Sequence, residues 1–105
     1  MTVQRIKDLL TSIDPKAQRY EHDGAGKADA YTVWYEVGPV GFYGDGQEEG
    51  SIHFQVDRFT KEENEGTALA LKATLESQDD IAMDYHVDYE LDTGYIHHIY
   101  DCEGA

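Results

Sequence analysis

The chain is poor in cations. Its 8 lysines and arginines stand against 22 aspartates and glutamates, a formal net charge of −14 over 105 residues. Binding to a phosphate backbone or to an anionic membrane surface is driven by lysine and arginine, so both functions are disfavoured. Cys102 is the only cysteine, which excludes an intrachain disulfide and fits folding in a reducing compartment. No apolar run approaches the length that spans a bilayer. The opening Met1-Thr2-Val3-Gln4-Arg5 lacks the basic start and apolar stretch of a signal peptide. Internal repeats and composition breaks are also lacking. Residues 1–105 therefore read as one domain, long enough to bury roughly 65% of its unfolded surface.

What is present is a pattern of alternating and helical periodicities. Val3, Ile6, Leu10 and Ile13 recur at helical spacing, with Thr2 as a cap and Asp14-Pro15 as a stop. Pro15 to Ala30 is polar and reads as an exposed linker, with room for one short strand near Gln18 to Glu21 that is left out of the element order. Tyr31 to Val37 alternates as a strand with apolar groups on both faces, which implies cover on both sides. Gly38 to Gly50 holds five glycines, one proline and three acids, and is expected to be a long mobile loop. Ser51 to Phe59 alternates again. Thr60-Lys61-Glu62-Glu63 has the form of a capping box, predicting a helix from Lys61 to about Ser77. Met83 to Leu91 and Tyr95 to Tyr100 form the arms of a hairpin around Asp92-Thr93-Gly94. The expected fold is α+β, in the order α-β-β-α-β-β. It is a mostly antiparallel four-stranded sheet with two helices packed on one face.

The candidate chemistry is thin. His86, His97 and His98 lie near Asp84, Asp88 and Glu90, and a three-residue hairpin loop would pair Asp88 with His98 and His86 with Tyr100. Such a cluster has the ligand types for a divalent metal. It lacks a helical histidine pair or a closed ligand set, so the ordinary reading is a solvated face with cross-strand charge pairs. Cys102 has histidines near it in sequence but sits at the chain end, where a surface thiol is the ordinary case. Gly41, Gly44 and Gly46 do not form a phosphate loop, since the lysine and the serine or threonine are missing. No catalytic residue, metal or cofactor is assigned. The eight tyrosines and the single tryptophan are the better signal, because aromatic residues favour interfaces. Candidate partner contacts are Trp34, Phe42, Tyr43, Asp45, Glu48 and Glu49.

Several segments carry a family resemblance in their order. They are the opening helix Val3 to Ile13, Tyr31-Thr32-Val33-Trp34-Tyr35-Glu36 and Asp45-Gly46-Gln47-Glu48-Glu49. Ile52-His53-Phe54-Gln55-Val56-Asp57-Arg58-Phe59-Thr60-Lys61 follows, then an alanine- and leucine-rich helix, and a hairpin ending Ile96-His97-His98-Ile99-Tyr100. In this order the chain resembles the tail-terminator and tail-completion proteins of long-tailed phages and prophages. The resemblance implies a small α+β structural subunit without enzymatic activity. It implies a hexameric ring at the head-proximal end of the tail tube, in contact with tube and head–tail connector proteins. Such a protein would be made in the host cytoplasm and end in the virion tail. The alternative from another class is an acidic inhibitor or immunity protein that covers a basic toxin or nuclease.

The charge generates a first test. Arg5, Lys7, Lys16, Arg19, Lys27, Arg58, Lys61 and Lys72 are scattered, each with an acid nearby in sequence or on a likely neighbouring strand. Duplex DNA is expected not to bind at physiological salt, even for a protein past which DNA slides. Fluorescence anisotropy with labelled duplex checks this, and micromolar binding that weakens with salt would refute the passive reading of the charge.

Overall fold

The computed structural model describes residues 1–37 and 50–105. Among the described residues, seven elements follow one another: α1 (Val3–Ile13), β1 (Gln18–Arg19), β2 (Tyr31–Glu36), β3 (Ile52–Thr60), α2 (Gly66–Ser77), β4 (Ile81–Tyr89) and β5 (Ile96–Gly104). They build one five-stranded sheet in the order β1-β2-β3-β5-β4. The β1–β2 pair is parallel and every other pair is antiparallel. The four-stranded, six-element expectation is thereby corrected to a mixed five-stranded sheet. The reason is local. After α1 the chain lays Gln18 and Arg19 beside Val33 and Trp34, and the Tyr20 N–H donates to the Trp34 carbonyl at 2.7 Å. Tyr20 then takes a positive φ of 72° and turns the chain away. A two-residue strand carries no periodicity to read.

Both helices lie on one face of the sheet. Ile6 and Leu10 of α1 and Leu71 and Leu75 of α2 join Trp34, Ile52, Phe54, Val56, Ile81, Tyr100 and Cys102 in a single core. The alternation of β3 explains the choice of face: Ile52, Phe54 and Val56 point to the helices, and His53 and Gln55 point away. Trp34 shares the helix side and is 1% exposed, with the Arg19 guanidinium 5.5 Å from its ring centre.

The helix termini are tied by side chains. Thr2 accepts the Arg5 N–H at 3.0 Å and starts α1. The second helix begins later than the capping box predicts. Thr60 is the last residue of β3, paired with Ile96, and its hydroxyl donates to the Glu62 carbonyl at 3.0 Å. Asn64 sits at φ 56°, a left-handed turn that asparagine tolerates, and Glu65 becomes the cap by accepting the Ala68 N–H at 2.8 Å.

One buried cation joins these ends. Arg58 of β3 is 6% exposed. Its guanidinium donates to Asp14 at the end of α1 (3.1 Å), to Glu65 at the start of α2 (2.7 Å) and to the Thr32 hydroxyl on β2 (3.1 Å). Burial alone raises the Glu65 carboxyl, but the Arg58 hydrogen bonds and the Ala68 N–H outweigh it and hold it below the ordinary carboxylate value. Arg58→Ala is expected to destabilise the fold by about 3 kcal/mol, because it leaves two largely buried carboxylates unpaired. Urea unfolding measures it. Arg5→Ala, which breaks the exposed pair with Asp80, is the comparison and is expected to cost much less.

Candidate interaction surface

The sheet face turned away from the helices is laid out in four rows by the strand registers. Val37, His53, Glu103 and Ala82 form one row, and Tyr35, Gln55, Asp101 and Asp84 the next. Val33, Asp57, Ile99 and His86 follow, then Tyr31, Phe59, His97 and Asp88. The last row is an aromatic stack. Tyr31 and Phe59 lie 4.6 Å apart, Phe59 and His97 4.2 Å apart, and Tyr95 meets Phe59 edge-on at 5.9 Å. The segment after β1 lies against this end: His22 is 5.2 Å from the Tyr31 ring, and the Tyr95 hydroxyl donates to the Ala28 carbonyl. This half of the face carries the aromatic stack, with Asp57 and Asp88 beside it. The other half is acidic, with Asp84 directly opposite Asp101 and Glu103 next to it. His53 bonds to Asp101, and these groups line a cavity of about 270 Å³ with Ala82, Met83 and Cys102.

The histidines separate by face. The hairpin closes with Tyr89 opposite Ile96, one residue away from the register expected for a three-residue loop. The Glu90 backbone N–H donates to the Tyr95 carbonyl at 2.9 Å, and Gly94 sits at φ 76° inside the longer turn. Asp88 therefore pairs with His97, and His86 with Ile99. His97 on the uncovered face bonds to Asp57 at 2.8 Å. His98 points to the helix side and is 5% exposed. Among the described residues, no group of three or more histidine, cysteine, aspartate or glutamate side chains is arranged to hold a metal ion.

His98 is a structural group whose tautomer can be read from its partners. The Thr60 hydroxyl spends its proton on Glu62, so the His98 Nε2–H donates to Thr60 Oγ1 at 3.2 Å. Nδ1 is then an acceptor and takes the Tyr85 O–H at 2.8 Å. Burial pushes the His98 imidazole below its ordinary value of 6.5; nearby Arg58 and His97 lower it further and Glu65 opposes. Cys102 is 1% exposed, and burial pushes its thiol up to about 12, with Asp101 adding to the effect. A thiol held in that form is a poor nucleophile. The proximity of Cys102 to histidine in sequence therefore yields a packed side chain.

The predicted partner contacts divide in the same way. Trp34 is in the core, whereas Phe42, Tyr43, Asp45, Glu48 and Glu49 lie outside the described residues, as does all but the last residue of the expected loop Gly38 to Gly50. Among the described residues, the large apolar side chains that are exposed are Tyr20 (63%), Leu69 (50%), Val87 (46%), Tyr89 (62%) and Leu91 (85%). The alternating pattern of Met83 to Leu91 signalled Val87 and Tyr89 in sequence. It did not tell which side of the strand the helices cover.

The His98 network sets a pH dependence. Its folded pKa lies below the unfolded value, so the unfolded chain takes up the proton first. Stability from this group is complete above about pH 6.5 and is lost as pH falls towards the folded value. Urea midpoints should drop between about pH 7 and pH 5, and His98→Gln should flatten that drop. An identical slope in the variant would remove His98 as the cause.

No protein-family model, curated protein or solved structure matches this chain.

Proposed function

We propose that the chain is a non-enzymatic structural subunit of the phage tail-terminator type, one that assembles with copies of itself into a hexameric ring at the head-proximal end of a tail tube. The reading rests on the order of sequence segments that resembles that family. One structural observation carries it furthest: unlike apolar surfaces lie in different parts of the subunit. The β1–β2 part presents Tyr20 and, on the uncovered face, half-buried Val33 and Tyr35. Leu69 is exposed on α2, and Leu91 is exposed in the β4–β5 turn. A closed ring is built from head-to-tail contacts, which join two different patches, and an isologous dimer needs only one. The tube and connector proteins would then be its neighbours, and DNA would pass without adhering to so acidic a subunit.

An acidic inhibitor of a basic enzyme is the second reading, favoured by the same net charge. The two differ in mass. Light scattering across protein concentration and salt is expected to show growth towards a hexamer, with added salt relieving repulsion between subunits. A strict monomer at high concentration and high salt would count against the ring and favour the inhibitor.

A further inference from the structure

The sheet has two edges, and they are treated differently. At one edge stands β1, only two residues long. At the other stands β4, nine residues long, in unbroken register with β5 from Ile81–Gly104 to Tyr89–Ile96. Hydrogen bonding alternates along such a pair. Glu90 N–H donates to Tyr95 O, and Ala105 N–H to Asp80 O, so the even-numbered residues of β4 bond to β5. The N–H and C=O groups of Met83, Tyr85, Val87 and Tyr89 therefore point away from the sheet. Among the described residues, none of them finds a backbone partner outside it; the Ile81 N–H alone is taken, by Gln78 O at 3.4 Å. Proteins usually blunt an edge of this kind with proline, lysine, a bulge or a short strand. Ile81–Tyr89 has none of the four.

The side chains flanking this edge come in two chemistries. On the helix side Tyr85, Val87 and Tyr89 line a cavity of about 460 Å³ with Ile96 and His98. On the other side Asp84, His86 and Asp88 are all exposed. A strand laid against β4 must therefore set its side chains alternately against an apolar row and an acidic row. A second copy of this chain fits poorly. Antiparallel self-pairing centred on His86 sets Asp84 of one copy opposite Asp88 of the other, between molecules that each carry −14.

We propose that β4 is a docking edge for an extended segment of a different protein in which apolar residues alternate with lysine or arginine. The segment adds as a sixth strand. Its apolar side chains cover Tyr85, Val87 and Tyr89, and its cations lie beside Asp84 and Asp88. This goes beyond the ring reading, which assigns no partner to the β4 edge.

The test uses the full chain and a labelled, end-blocked peptide of about nine residues, the length of β4, alternating lysine and valine. Anisotropy should show saturable binding that weakens with salt. Amide exchange should slow at Met83, Tyr85, Val87 and Tyr89. A glutamate–valine peptide should bind at least about tenfold more weakly. Val87→Pro removes an outward N–H while sparing the bonds to β5, and should abolish binding. Asp84→Lys with Asp88→Lys, both at exposed sites, should reverse the peptide preference and keeps the test sound if the proline variant does not fold. Equal binding of the two peptides overturns the proposal. So does binding that survives both variants, or protection of the β4 edge by protein concentration alone, which would give the edge to a second copy. None of these outcomes depends on whether a ring forms.

Discussion

The fold depends on one guanidinium. Arg58 leaves β3 on the helix side and meets the carboxylate that ends α1, the carboxylate that begins α2 and a hydroxyl of β2. Asp14 also accepts the Lys16 N–H at 3.0 Å, so the same side chain turns the chain out of the first helix and ties it to the sheet. Glu65 likewise caps the second helix while bonding to Arg58. Two strands and the ends of two helices are thus brought to one point. A planar fork of donors suits this work better than the single ammonium of a lysine. Desolvating these charges is costly, and the arrangement is tolerable because, among the described residues, no buried side-chain nitrogen or oxygen lacks a partner.

The cluster also divides the covered face. Ile52, Phe54, Val56, Tyr100 and Cys102 make its apolar part, sealed by the two helices. Arg58, Thr60 and His98 make its polar part. Tyr100 joins the two, since its ring is fully buried while its hydroxyl donates to the Ala68 carbonyl of α2 at 2.7 Å. α2 is buried through Ala68, Leu71 and Leu75. Before α2 begins, the β3–α2 connection and β4 border the cavity at His98, with Glu63 and Asn64 on one side and Tyr85 and Val87 on the other. The opening there follows from where α2 starts, and α2 starts late because Thr60 is held in the sheet.

Much of this was legible in the residues, for physical reasons that also explain the rest. Long strands betray themselves by alternation, so β2, β3 and both arms of the hairpin could be placed. The first helix could be placed because Ile6 and Leu10 repeat and Thr2 caps. The start of α2 was misread because Thr60-Lys61-Glu62-Glu63 has the right letters, while pairing to Ile96 claims Thr60 for the sheet. Tertiary pairing overrode a local signal. The hairpin register slipped by one because Gly94 marks a left-handed residue without giving the loop length, and that slip moved His98 from the open face to the covered one. The parallel β1 was not legible as part of the sheet order, since two residues have no period. The Arg58 cluster was not legible either. Its members lie 7 to 44 residues from Arg58 and announce themselves only when the helices are docked.

The net charge acts on the surface that remains. On the uncovered face the acids gather towards β4 and β5, and the aromatic rings gather towards β2 and β3. His53 and His97 each bond to one of the aspartates there, which moderates the repulsion without removing it. Asp84 and Asp101 still stand directly opposite one another on neighbouring strands, a placement that costs stability. The His53 bond offsets part of this cost for Asp101, but among the described residues Asp84 has no such partner, so folding alone does not account for it. The consequence of these acids lies outside the subunit. They make the long β4 edge unattractive to another acidic chain and attractive to a basic one, while β1 at the opposite edge leaves only two residues of strand to template. Charge thus does at β4 what proline or a bulge does in other sheets, but selectively: it opposes pairing with like molecules and permits pairing with unlike ones.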